Sequence, residues 1–148
     1  MESTAQPEAD LAALLFDRFA RAFATFDATN VAKLFAVPSV ALRKDGSIVM
    51  LSNREDVVGY YQPALDGYNC NGCRSCRWLD LEVHPMGKRA FLAAVSWELL
   101  RDDGSVALRW RQSYGISNAG NEPKIFVIIP LCVKGIITKI FASAMHVE

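Results

Sequence analysis

The stretch Ala90–Ile116, AFLAAVSWELLRDDGSVALRWRQSYGI, decides the fold. In its first arm large apolar side chains fall at every second position, at Phe91, Val95, Trp97 and Leu99. The second arm repeats the pattern with Val106, Leu108, Trp110, Tyr114 and Ile116. Successive side chains of a strand point to opposite faces, so this alternation marks two half-buried strands. Between the arms stands Asp102-Asp103-Gly104, where glycine reaches the positive φ that a tight hairpin turn requires. Closing the hairpin over a two-residue Asp103-Gly104 loop pairs Asp102 with Ser105. Trp97 then faces Trp110, Leu99 faces Leu108 and Ala93 faces Tyr114, while Glu98 meets Arg109 and Ser96 meets Arg111 on the other side. A slip of one residue would set the Trp97 indole against Arg109, so turn and pattern select one register. The expectation is a sheet with one aromatic and one charged face.

Working outward toward the N-terminus, the apolar spacing changes from two to between three and four. Leu11, Leu15, Phe19, Ala22, Phe23 and Phe26 form a helical stripe from Pro7 to Phe26, widened by Phe16 so that the helix lies across a sheet. Asp27 is a candidate N-cap for a short second helix through Phe35, ended before Pro38. Pro38 to Leu42 and Ser47 to Leu51 flank Lys44-Asp45-Gly46, a second hairpin. Ser52-Asn53-Arg54-Glu55 reads as a capping box, opening a third helix with Val57, Val58, Tyr60 and Tyr61 that ends near Leu65, before Gly67. After a loop of Gly, Asn and Cys, Arg74 to His84 alternates as a strand, and Pro85-Met86-Gly87 turns it into the long hairpin. Beyond that hairpin lie two β-rich segments, Lys124 to Leu131 and Ile136 to Met145, with Pro130 placing the first at a sheet edge or bulge.

The chain has 148 residues, half of them apolar and about a fifth charged, and its basic and acidic residues balance. That fits a single domain, residues 1–148, with a flexible N-terminus over residues 1–7. With no net charge there is no field to attract nucleic acid or an anionic membrane. The apolar window from Ile125 to Val133 is too short to span a bilayer. Met1 to Asp10 has no basic start or apolar core, so it does not read as a signal peptide. The expected compartment is the cytoplasm, with the four cysteines reduced.

Helices grouped ahead of long antiparallel strands indicate an α+β fold. The order, with Leu34-Phe35-Ala36, Asp45-Gly46, the capping box before Tyr60-Tyr61, Trp97-Glu98-Leu99 and Trp110-Arg111-Gln112-Ser113-Tyr114, resembles the NTF2-like (SnoaL-like) superfamily. That superfamily includes nuclear transport factor 2 and ketosteroid isomerase. The resemblance runs from about Leu11 to the C-terminus. It implies a cone in which N-terminal helices pack on a curved, mostly antiparallel sheet. It fixes no activity, because this fold hosts enzymes, binders and dimerisation modules.

The resemblance implies a pocket between sheet and helices. The residues expected to line it are Trp97, Trp110, Gln112, Tyr114 and Tyr60, with Gln112 the polar residue on the aromatic face. A small hydrophobic molecule is the expected ligand, and no cofactor is implied. An isomerase of the ketosteroid type needs a carboxylate near Ala41-Leu42-Arg43, and none stands there. An enzyme acting on a cyclic or polyketide-like substrate would therefore draw on another group, such as His146 or Asp56; His84 is a further candidate base. Cys70-x-x-Cys73-x-x-Cys76 with distant Cys132 has the spacing of thiolate ligands. Residue choice at a junction between loop and strand explains the triplet well enough, with a redox disulfide as a further reading, and no metal is assigned. The charged face carrying Glu98, Arg109 and Arg111, with Leu92, Ala94 and Leu100 beside them, is the expected homodimer surface.

Overall fold

A computed structural model describes residues 6–120 and 122–131 of the chain. The long hairpin sits at its centre as β4 (Ala90–Arg101) and β5 (Val106–Ser117). Its register is the expected one, with Trp97 opposite Trp110, Leu99 opposite Leu108, Ala93 opposite Tyr114, Glu98 opposite Arg109 and Ser96 opposite Arg111. The turn differs. Gly104 N–H donates to Arg101 O and Arg101 N–H to Ser105 O, both at 2.9 Å, so the loop is Asp102-Asp103-Gly104 with Gly104 at φ +85°. A one-residue offset results, and Ala107 absorbs it as a bulge, since Leu100 pairs with Val106 but Leu99 with Leu108. The Asp103 carboxylate accepts from both Ser105 N–H (2.9 Å) and its hydroxyl (2.7 Å). The same Asp-Gly-Ser device closes the first hairpin, where Asp45 holds Ser47 between β1 (Phe35–Leu42) and β2 (Ile48–Leu51).

Three helices cover the inner face. Helix α1 (Gln6–Phe23) buries Ala12, Leu15, Phe16, Phe19 and Phe23. It stops short of Phe26, which turns the chain at φ +54°. Helix α2 spans only Ala28–Ala32, capped by Asp27, and Phe35 opens β1 instead of closing this helix. Gln62 ties the corner together: it accepts from Ala28 N–H at 2.8 Å and donates to Phe26 O at 3.0 Å.

Helix α3 (Arg54–Cys70) is the largest departure from expectation. Its cap is Asn53, one residue later than the Ser52 box, with Asp56 N–H donating to Asn53 and Ser52 N–H donating back to Asp56. The helix also runs through Pro63 and Gly67 instead of ending near Leu65. Proline inside a helix costs about 3 kcal/mol. Val57, Tyr61, Ala64, Leu65 and Tyr68 form a buried stripe along this helix, and each large apolar side chain so buried contributes about 1.5–3 kcal/mol. Packing of the stripe therefore outweighs the break.

Strand β3 (Cys73–Pro85) pairs with β4, bulging at Asp80 (φ +57°). Strand β6 (Lys124–Pro130) is not at an edge. The sheet order is β2-β1-β6-β5-β4-β3, with β6 parallel to β1 and antiparallel to β5. Pro130 is its last residue, where the missing N–H disrupts least. The result is the α+β cone: helices on the inner face of a curved, six-stranded, mostly antiparallel sheet. The segment Ile136 to Met145 lies outside the described residues.

Candidate functional site: an aromatic cavity

Where α1 and α3 cross the inner face of β3–β5, aromatic rings meet. Phe16 stands edge-on to Trp97 (centroids 5.9 Å apart, 87° between planes), and Phe19 lies 5.3 Å from the same indole. Tyr68 stacks on Trp110 at 6.0 Å and 22°. Inside this cluster lies a cavity lined by Phe19, Phe23, Tyr61, Ala64, Leu65, Tyr68, Cys76, Trp97, Leu99, Trp110, Gln112 and Tyr114. It offers ≈ 30 Å³ to the centres of water-sized molecules, and ≈ 420 Å³ when all unfilled space, including that open at its mouth, is counted. One buried water needs about 10–15 Å³ on the first measure, so the enclosed part holds two or three waters or the head of a small ligand.

The polar groups at this cavity are few and specifically bonded. The Trp97 indole N–H donates to the Tyr114 hydroxyl at 2.7 Å, both side chains being buried. The Trp110 indole N–H donates to Gln112 Oε1 at 2.9 Å, and Gln112 is only 4% exposed. The Tyr68 hydroxyl is buried with no hydrogen-bond partner among the described residues. An unpartnered buried hydroxyl costs about 1–3 kcal/mol, and of the described atoms in this state, Glu8 Oε1, Ser39 Oγ and the Tyr68 hydroxyl, only the last belongs to a residue lining the cavity. Burial pushes the phenols of Tyr61, Tyr68 and Tyr114 above their ordinary value, and the Cys76 thiol likewise. All four are therefore protonated at neutral pH.

Residues 9–131 match the family described as NTF2-like protein (DUF6841). This chain belongs to that NTF2-like family. Solved structures similar to this NTF2-like chain include a candidate calcium/calmodulin dependent protein kinase II association domain from Xanthomonas campestris. It has a TM-score of 0.65 at 18% identity, covering 92% of this chain and 95% of that one. An NTF2-like protein with a cystatin-like fold from Novosphingobium aromaticivorans has a TM-score of 0.64 at 12% identity, covering 99% and 98%. A candidate aromatic ring hydroxylase from the same organism has a TM-score of 0.62 at 10% identity, covering 86% and 91%. At such identities the likeness is one of fold. No curated protein is significantly similar in sequence.

Four of the five residues expected at the pocket of this NTF2-like chain, Trp97, Trp110, Gln112 and Tyr114, do meet at one cavity. Tyr60 is not among the lining residues; it packs edge-on against Tyr61 (5.4 Å, 79°), which takes the lining position. Tyr68 went unnoticed in the sequence because Pro63 and Gly67 suggested an earlier helix end. The signal was present all the same, since Val57, Tyr61, Ala64, Leu65 and Tyr68 continue one helical stripe. Asp56 is spent on the α3 cap and is exposed. His84 is exposed near the end of β3. His146 and Cys132 lie outside the described residues. Cys70 is exposed, Cys73 buried and Cys76 partly buried at the cavity, all as free thiols. No group of potential metal ligands gathers among the described residues.

The outer face of the same strands is charged. Arg77 on β3, Glu98 on β4 and Arg109 on β5 are direct cross-strand neighbours. Arg77 Nε donates to Glu98 Oε1 at 2.8 Å; Arg109 Nε donates to Oε2 at 2.7 Å, and a second Arg109 N–H reaches the same oxygen. Glu98 is 2% exposed, covered by the side chains flanking it instead of sunk in the core, and hydrogen bonds from Arg77 and Arg109 hold its carboxyl below the ordinary carboxylate value. Arg111 completes the row, donating to Ser96 (3.0 Å) and Glu82 (2.9 Å). No described helix is long and apolar enough to cross a membrane.

Proposed function

We propose that this NTF2-like chain binds a small, neutral hydrophobic molecule in the cavity between α1, α3 and the hairpin, with Trp97, Trp110, Gln112 and Tyr114 as contact residues. One observation carries the reading: free space lies at the meeting point of the aromatic residues of the core. Pockets of this kind are apolar with a few placed polar groups. The alternative is an isomerase, dehydratase or cyclase, which needs a proton-transfer group near its working pKa. The titratable groups lining the described cavity are phenols and a thiol held in their protonated forms, which favours binding over acid–base chemistry. Indole at ten times its dissociation constant should raise the melting temperature by about 3–6 °C. Ala64→Leu, which fills the cavity, should abolish that shift. Absence of any shift with indole and with the smaller benzene would sink the proposal.

A second reading concerns the outer face. We propose that two copies pair through it, because Leu92, Ala94 and Leu100 stand there half-buried beside the arginine row, and arginine is enriched at interfaces. The name of the similar Xanthomonas structure, an association domain, supports the same use of the fold. Sedimentation equilibrium should give the mass of a dimer, and Leu92→Glu the mass of a monomer. A wild-type monomer at the highest soluble concentration refutes it.

A further inference from the structure

An indole N–H can only donate, so the Gln112 atom facing Trp110 must be the amide oxygen. That fixes the amide the other way round at its far end, where an NH2 group offers donors and no acceptor. Gln112 Nε2 therefore carries the donors of this buried amide at the cavity. The same logic applies to Tyr114. Its hydroxyl oxygen already accepts from the Trp97 indole, leaving its proton to donate. Tyr68 adds a buried hydroxyl with no partner among the described residues. All three residues line the same cavity, and no Asp, Glu, His, Lys or Arg is among its described lining residues. The cavity therefore holds a surplus of neutral hydrogen-bond donors against apolar walls.

From this surplus we infer the ligand class: a small, uncharged molecule with an apolar ring or chain and a carbonyl or similar acceptor oxygen, held by Gln112 Nε2 and the hydroxyls of Tyr68 and Tyr114. The inference rests on the ligand-binding reading above and sharpens it. An amine would bring further donors to a site already rich in them. A carboxylate would enter an apolar site with no cation to meet it, which is costly. A carbonyl oxygen has two lone pairs and no proton, the complement of what the cavity presents. Burial holds the phenols protonated, so the donor set persists across the physiological range.

The test compares two molecules of nearly equal shape, cyclohexanone and methylenecyclohexane, which differ in whether an oxygen is present to accept. Binding is followed by the indole N–H signals of Trp97 and Trp110 in proton–nitrogen NMR spectra. Trp78 serves as an internal control, because its indole is bonded to Asp17 away from the cavity lining. The expected result is that cyclohexanone binds about fivefold tighter, the worth of one net hydrogen bond, and shifts Trp97 and Trp110 but not Trp78. Tyr68→Phe removes only a hydroxyl with no partner among the described residues and should fold normally; it should reduce the preference for the ketone without weakening methylenecyclohexane. Equal affinity for both molecules would overturn the inference while leaving the apolar pocket standing, and would mean that the donors serve water alone. Binding of neither molecule would overturn the pocket itself, and the inference with it.

Discussion

The two faces of strands β3–β5 share one backbone, one register and the same residue spacing, yet they are held by different physics. The inner face buries Trp97, Trp110 and Tyr114 against Phe16, Phe19 and Tyr68. The outer face ties Arg77, Glu98 and Arg109 in a row across the same three strands. Area burial is non-directional and large, about 1.5–3 kcal/mol for each big side chain. Ion pairs whose arginines remain half in water contribute about a kcal/mol or less each. The inner face therefore selects the register, and the outer pairs follow from it because the two sets of residues alternate along the same strands. A one-residue slip would then cost the outer face its Glu98–Arg109 pair, setting Glu98 opposite Leu108 or Trp110.

The comparison predicts an ordering of mutational effects. Trp97→Ala should cost about 3–5 kcal/mol in denaturant unfolding, the range for large aromatic truncations in cores. A loss under about 1 kcal/mol would remove the inner face from its dominant place. Gly115→Ala comes next. A Cβ there would lie 2.4 Å from Val127 Cγ1 and 2.8 Å from Phe126 Cζ, and such overpacking costs about 1–3 kcal/mol. An unchanged midpoint would show that β6 can shift away from β5 freely.

Glu98→Gln should cost about 1 kcal/mol at neutral pH, since it removes charge-assisted bonds to arginines that water can still solvate. Its pH dependence has a definite sign. The folded carboxyl titrates below the ordinary carboxylate value, so the stabilisation is fully present above the unfolded value of about 4.3 and is lost as pH falls through the folded one. The stability gap between wild type and Glu98→Gln should thus be flat from pH 5 to 8 and close at lower pH. A gap that widens on acidification contradicts the ion-pair account. The smallest effect belongs to Tyr68→Phe, which should leave stability unchanged or raise it by a few tenths of a kcal/mol, because the hydroxyl it removes has no partner among the described residues. A loss above about 1 kcal/mol would mean that this hydroxyl is bonded in solution, and that the inner face is as specifically paired as the outer one.

Much of the site was legible because strand periodicity is a local property. Alternation named Trp97, Trp110, Gln112 and Tyr114 together, and the same alternation set Glu98 against Arg109. The helical contributors were harder to read. Tyr60 and Tyr61 are adjacent, and only the azimuth of α3 on the sheet decides that Tyr61 lines the cavity while Tyr60 stands beside it. Cys76, read first as part of a thiol triplet, proves to be a cavity wall.

What the sequence by itself determined is the set of features governed by neighbours in the chain: the period of each element, the Asp-Gly-Ser turns, the Asp27 cap and the register of the long hairpin. Tertiary structure decided the rest. It carried α3 through Pro63 because distant partners bury its stripe. It let Ala107 absorb the extra turn residue, so that the aromatic pairs stayed in register. It placed β6 between β1 and β5, a parallel pairing between segments far apart in sequence. And it left a cavity at the meeting point of these aromatic residues, since the sum of packed volumes, unlike the alternation of single residues, exists only when helices and sheet are brought together.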